Sequence, residues 1–133
     1  MVQLTTSLVA ALVTLCPLIL ATPSKLEARY PNCDRANVGF GHTKEAVQCI
    51  NQLAALGSTP CVTDYGGRKL RTCGGTLIWS VSRVPRGART TCENVAKTLG
   101  RIMDVCNRPD DNIQGNDFVF GNGDFYVEIR ANF

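Results

Sequence analysis

The strongest constraint on this chain is the stretch TTCENVAKTLGRIMDVC over residues 90–106. Cys92, Val95, Ala96, Leu99, Ile102, Met103 and Cys106 recur at the i, i+3, i+4, i+7 spacing of a single helix face. Thr90, three residues ahead of Glu93, predicts a capping box, and Glu93 with Lys97 makes a favourably oriented i, i+4 pair. Gly100 weakens the interior by roughly 1 kcal/mol relative to alanine, which burial of the apolar stripe outweighs. A cysteine stands at each end of that stripe. Held about 21 Å apart along a helix, Cys92 and Cys106 cannot bond each other. Each must reach a different part of the chain, so this helix is anchored twice.

Behind the helix, DFVFGNGDFYVEIRA places a Gly121-Asn122-Gly123 turn between two runs rich in aromatic and β-branched residues, a hairpin signal. Alternation puts Phe125, Val127, Ile129 and Ala131 on one face, and Tyr126, Glu128 and Arg130 on a face expected to be wet. Upstream, Thr43 predicts the cap of another helix over residues 44–56, closed by Gly57, with Val47, Ile50, Leu53 and Ala54 as its buried stripe and Cys49 beside them. Residues 61–65 and 69–73 flank Gly66-Gly67 and predict a tight hairpin. Residues 76–83 (TLIWSVSR) predict a strand with Leu77, Trp79 and Val81 on one face. The order α, β, β, β, α, β, β implies an α+β fold with two helices packed on a four- to five-stranded antiparallel sheet.

Length and cysteine content narrow the class. Residues 8–21 form a short apolar run of secretory type, too short to span a bilayer, so residues 1–21 are expected to be a signal peptide. The polar TPSKLEAR segment over residues 22–29 ends in a site like those cut by fungal kexin-type proteases. It is a candidate pro-peptide, leaving residues 30–133 as one secreted domain. Of seven cysteines, Cys16 lies in the leader. The remaining even set, Cys33, Cys49, Cys61, Cys73, Cys92 and Cys106, reads as a disulfide framework that staples a small core.

The connectivity expected is Cys33–Cys106, Cys49–Cys92 and Cys61–Cys73. Symmetry about Gly67 suggests the last pair. Cys49, beside the stripe of the first helix, suggests a helix-to-helix bridge to Cys92, which leaves Cys33 for Cys106.

Few residues suggest catalysis. A single histidine excludes a paired-histidine nuclease and leaves only His42 for a nucleophile–base pair, at a position where an exposed or structural role is commoner. Asp110-Asp111, flanked by Pro109 and Asn112, reads as a turn rather than a carboxylate pair. Trp79 is expected in the core rather than as a sugar platform. No cysteine–histidine spacing suits a metal and no aspartate-rich cation loop is matched, so no cofactor or metal is expected.

Charge is segregated. Arg68, Lys69, Arg71, Arg83, Arg86, Arg89, Lys97 and Arg101 face only Glu93 over residues 68–101, within a chain of net charge +3. The first six form a candidate binding patch for an anionic lipid, a channel mouth, a cell-wall polyanion or nucleic acid. The bland alternative is a solvated face carrying weak ion pairs.

Cys73-Gly74-Gly75 feeding a strand, Thr91-Cys92 opening a helix and Gly115-Asn116-Asp117 before a final hairpin occur in that order over residues 46–130. In this the chain resembles the small killer toxin of smut-fungus viruses and its fungal secreted homologues. It has fewer cysteines than the smut toxin and lacks that toxin's Gly-Ile-Asn-Cys start. The resemblance implies a disulfide-stapled α/β sandwich, with a disulfide pattern running the same way as the one above. It also implies action on calcium channels through a basic residue two positions before the cysteine that leads the central strand, here Arg71. Asn32-Cys33 and Gln48-Cys49 also resemble secreted necrosis-inducing effectors of plant-pathogenic fungi.

The expected function is therefore a secreted, monomeric, non-enzymatic effector acting on a cell-surface protein or channel of a host or competitor cell. It is expected to have no nucleic-acid partner and no stable membrane insertion. A necrosis-inducing effector and an extracellular enzyme inhibitor are the alternatives. Mass spectrometry of the secreted protein is expected to find Tyr30 at its N-terminus; an N-terminus at Thr22 would remove the pro-peptide.

Overall fold

A computed structural model describes residues 30–35 and 37–133; the expected signal peptide and pro-peptide lie outside the described residues. Its centre is a four-stranded antiparallel sheet of β3 (Arg68–Cys73), β4 (Thr76–Ser82), β7 (Gly115–Val119) and β8 (Asn122–Ala131), in the order β3-β4-β8-β7. Two helices, α1 (Thr43–Ala54) and α2 (Cys92–Cys106), cover one face of it. Ala46, Cys49 and Leu53 of α1 and Val95, Leu99 and Ile102 of α2 pack in one apolar cluster with Ile78, Phe125, Val127 and Ile129 of the sheet. Two short ribbons complete the fold. β1 (Gly41–His42) pairs with β6 (Asn112–Ile113), and β2 (Pro60–Thr63) pairs with β5 (Ala88–Thr91). The expected α+β architecture, with two helices on an antiparallel sheet and three disulfides, is what the chain adopts.

Cys33 bonds Cys106 as expected, but the other two pairs are exchanged. Cys49 bonds Cys73, and Cys61 bonds Cys92. The reason is strand pairing. The expected hairpin about Gly66-Gly67 does not form, because β2 pairs with β5 rather than β3, with Cys61 opposite Thr90. That register carries Cys61 to the first turn of α2, where its Cα lies 5.0 Å from that of Cys92. Cys73, at the end of β3, then faces α1, with its Cα 5.9 Å from that of Cys49.

Several local expectations move by one residue. Thr91, not Thr90, caps α2 and accepts a hydrogen bond from the Asn94 N–H at 3.1 Å, because the helix begins at Cys92. His42 is the N-cap of α1, because Thr43 is already helical and its hydroxyl donates to Asn107 Oδ1 at 2.9 Å. The buried stripe of α1 is Ala46, Cys49 and Leu53, while Val47 and Ala54 are exposed. In the last hairpin the turn is Phe120-Gly121, and Asn122 already pairs with Val119. The inward residues of β4 are Ile78, Ser80 and Ser82, since antiparallel partners share a face and these oppose Ile129, Val127 and Phe125. Trp79 lies on the other face, beneath the Arg130 guanidinium at 4.7 Å.

That second face is not wet either. Residues 30–35 and 37–40 form a strap across it, joined to β7 by the paired amides and carbonyls of Asn32 and Asn116 and to α2 by Cys33–Cys106. Under the strap Glu128 is fully buried, with Arg35 at 3.1 Å and Arg130 at 3.2 Å. A carboxylate costs several kcal/mol to bury alone, so two arginines meet it here. Arg35 also donates to the Tyr126 hydroxyl at 3.0 Å. Burial and then the Glu128 charge push that phenol up to about 12, against the opposing pull of Arg35.

Two measurements check this arrangement. Non-reducing peptide mapping is expected to recover Cys61–Cys92 and Cys49–Cys73 peptides, and replacing both Cys61 and Cys92 by alanine is expected to cost about 2–4 kcal/mol. Glu128→Gln, which strips the shared counter-charge from Arg35 and Arg130, is expected to cost roughly 2–4 kcal/mol in urea unfolding. An unchanged midpoint would mean that the Asn32–Asn116 backbone pair and Cys33–Cys106 hold the strap without the ion pairs.

Candidate functional site

The six basic residues singled out by charge do not form one patch. Strand alternation and a bulge divide them. In β3, Lys69 opposes Trp79 on the strap-side face, but the extra residue Leu70 shifts the register so that Arg71 opposes Ile78 on the helix side. Arg71 is therefore half-buried, and its Nε is shielded from solvent without a hydrogen-bond partner among the described residues. Arg68 shares the helix-side face through its pairing with Ser80 and meets Asp64 at 3.0 Å in an exposed ion pair. Arg83, beyond the end of β4, stacks on the Phe118 ring at 5.0 Å.

Arg86 and Arg89 come together instead on the rim of a cleft of about 510 Å³. One wall is the end of β2 with Asp64; another is the loop from Arg86 to Arg89; the floor end is closed by Asn122 and Asp124 at the start of β8. The backbone sets this shape. Ser82 N–H donates to the Asp64 carbonyl at 2.9 Å and Arg83 N–H to the Asp124 carbonyl at 2.8 Å, so the two acids are held by successive peptides of the chain. Asn122 Nδ2 donates to the Arg89 carbonyl at 2.9 Å, tying the β8 turn to β5. Gly87 has φ +86°, and a Cβ there would lie 2.9 Å from the Thr63 carbonyl, so only glycine lets the loop lie this close to β2.

Charge in the cleft is only partly compensated. Arg86 approaches Asp124 no nearer than 4.0 Å with its side chain 79% exposed, and Arg89 forms no ion pair among the described residues. Exposed pairs of this kind contribute little to folding. Their guanidinium groups remain available to a ligand.

The residues considered for catalysis stand apart. His42 is exposed at the start of α1, where its backbone N–H donates to the Thr76 hydroxyl at 2.8 Å. The Thr76 hydroxyl donates to Glu45 at 2.8 Å, and the Gly75 N–H adds a 3.0 Å bond to the same oxygen. The Thr76 bond, followed by that of Gly75, holds the Glu45 carboxyl below its usual value. Gly74, at φ +62°, leaves the Glu45 carboxylate the space that a side chain would fill. The Gly74-Gly75 pair is thus the two-residue turn from β3 to β4, built around a helix carboxylate.

Asp110 and Asp111 form a turn, with Asp111 at φ 64° and the Asp110 carboxylate accepting the Asn112 N–H at 3.1 Å. Among the described residues no three histidine, cysteine, aspartate or glutamate side chains gather into a metal-binding group.

A further acid stood in the sequence only as the last residue of the Gly115-Asn116-Asp117 motif. Asp117, on the helix-facing side of β7, is buried, and burial pushes its carboxyl above the ordinary range, against the Phe118 N–H and Arg101. Arg101 Nη2 lies 2.7 Å from Asp117 Oδ2, a contact of charge rather than an aligned hydrogen bond. Arg101 also stacks over Phe120 at 5.2 Å, which fixes the turn that leads into the cleft wall at Asn122.

No curated protein and no solved structure matches this chain. A family model described as a domain of unknown function, DUF8794, matches residues 28–131, from just before the strap to the end of β8. The matched residues take in the sheet, both helices, all three disulfides and the cleft, and the chain belongs to the DUF8794 family.

Proposed function

We propose that this protein is a secreted, non-enzymatic effector that acts on the surface of another cell, in the manner of the killer toxins it resembles, by perturbing a membrane ion channel. The observation that carries the reading is the basic surface held by a disulfide-stapled frame. Arg86 and Arg89 project from a cleft whose walls are joined to α2 through Cys61–Cys92, while Lys69 projects from the sheet. Three disulfides suit an oxidising, extracellular setting, and no helix among the described residues is long and apolar enough to cross a membrane.

The motifs behind the resemblance stand at the starts of elements. Cys73-Gly74-Gly75 turns into the central strand β4, Thr91 caps α2 and Cys92 begins it, and Gly115 begins β7. Arg71, two residues before Cys73, stands where the resemblance puts the active cation. Its half-buried setting gives it a structural load that a fully exposed charge would lack.

The oxidised protein is expected to change calcium influx in susceptible fungal or plant cells, and the reduced and alkylated protein to be inert. Arg71→Lys is expected to retain the response. Arg71→Glu is expected to lose it and, because the Nε is shielded, to lower the melting temperature as well. A folded Arg71→Glu protein with full activity would move the function to the other cations. Absence of any response across fungal and plant cells would overturn the effector reading.

A further inference from the structure

We infer that the cleft between β2, the Arg86–Arg89 loop and the start of β8 binds an acidic oligosaccharide, with a uronate carboxylate on the arginines and ring hydroxyls on Asp64, Asp124 and Asn122. This deepens the proposed function, on which it rests, by naming what the basic surface meets on the target cell.

The chemistry of the walls selects the ligand. Arg86 and Arg89 offer planar forks that match a carboxylate, and neither is committed to a close partner among the described residues. Beside them stand two carboxylates that can only accept hydrogen bonds. Asp124 lies 4.0 Å from Arg86 and so keeps lone pairs free, while Asp64 shares one oxygen with Arg68 at 3.0 Å. A ligand that fills this cleft must therefore carry an anion and several hydroxyl donors close together. A uronic acid unit has both on one ring.

The alternatives match less well. A nucleic-acid strand would bring a phosphate for every nucleotide against Asp64 and Asp124, and no aromatic ring lines the cleft to stack a base. An apolar peptide side chain would find only Val62 and Ala88. The walls are fixed before binding by the backbone bonds of Ser82 and Arg83 and by the side-chain amide of Asn122 on the Arg89 carbonyl, so little ordering opposes association.

The test titrates the isotope-labelled, disulfide-intact protein with trigalacturonic acid, and in parallel with maltotriose, hexaglutamate and an oligothymidylate. Trigalacturonic acid is expected to bind, with amide shifts centred on Gly87, Arg89 and Asn122 and an affinity that falls as salt is added. Arg89→Ala and Asp124→Asn are each expected to weaken it about tenfold, the loss of one charge-assisted contact. Lys44→Ala, on α1 and outside the cleft, is expected to leave it unchanged.

Equal binding of maltotriose, preference for the peptide or the oligonucleotide, shifts centred elsewhere, or no binding of the acidic trisaccharide would each overturn the assignment. If the trisaccharide fails to bind while the protein still alters calcium influx, the ligand assignment falls alone. Binding of the trisaccharide without any cell response would instead uphold the site and remove the effector reading.

Discussion

Helix α2 is pinned at both ends, and the rest of the molecule is arranged around that constraint. At its first residue Cys92 holds Cys61 and with it the β2–β5 ribbon; at its last, Cys106 holds Cys33 and the strap. The two faces of the central sheet are thereby closed by one element. Leu99 and Ile102 pack beneath the sheet, and the strap lies over the opposite face with Arg35 on Glu128. A core of this size buries a limited fraction of its unfolded surface, so cross-links that cut the entropy of the unfolded chain matter more than in a large domain. The third bridge, Cys49–Cys73, does for α1 and the sheet edge what the other two do for α2.

Two kinds of charge follow from this architecture. Those inside are committed: the Glu128 carboxylate, met by Arg35 and Arg130, and the Asp117 carboxylate, met by Arg101, are shielded from water and tie down the strap and the last hairpin. Those outside are loosely engaged. Lys97 stands 4.0 Å from Glu93, and Arg86 is equally far from Asp124. Exposed pairs at that distance are screened by salt and contribute little to folding. Formal charge along the sequence cannot separate these classes. Arg35 and Arg130 look like any other surface cations until the fold puts Glu128 between them.

What the sequence made legible was periodicity. The α2 stripe, the inward row Phe125, Val127 and Ile129, and the two-helix, antiparallel-sheet architecture all follow from spacings of 3.6 and 2; Cys33–Cys106 was expected only as the remainder of two pairs that do not form. What it hid depended on contacts between distant segments. β2 and β3 are neighbours joined by Gly66-Gly67, yet β2 pairs with β5, some thirty residues away, and two disulfides exchange partners as a result. One bulge at Leu70 turned Arg71 to the opposite face from Lys69, which dissolved the expected patch. In β4, Ile78, Ser80 and Ser82 face the core while Leu77, Trp79 and Val81 face the strap side; serines on the inward row masked it. Of the site, Arg86 and Arg89 were marked by charge alone. Asp64, Asn122 and Asp124 carried no local signal, because only the tertiary fold brings them to the same cleft.

The cleft owes its form to the same cross-links as the core. Its wall at β2 is drawn to α2 by Cys61–Cys92, and its floor at Asn122 follows a turn braced by Arg101 on Phe120. Gly87 lets the basic loop lie against Thr63 without a side chain to hold it off. None of these groups is itself a recognition group; they set the positions of those that are. Arginine side chains remain free to reorient on a backbone that does not move, so a ligand would lose rotamer freedom at two side chains rather than order a loop. Selectivity in such a site comes from the carboxylates more than from the cations. Arg86 and Arg89 attract any anion, but Asp64 and Asp124 repel those that bring no hydrogen-bond donors with them.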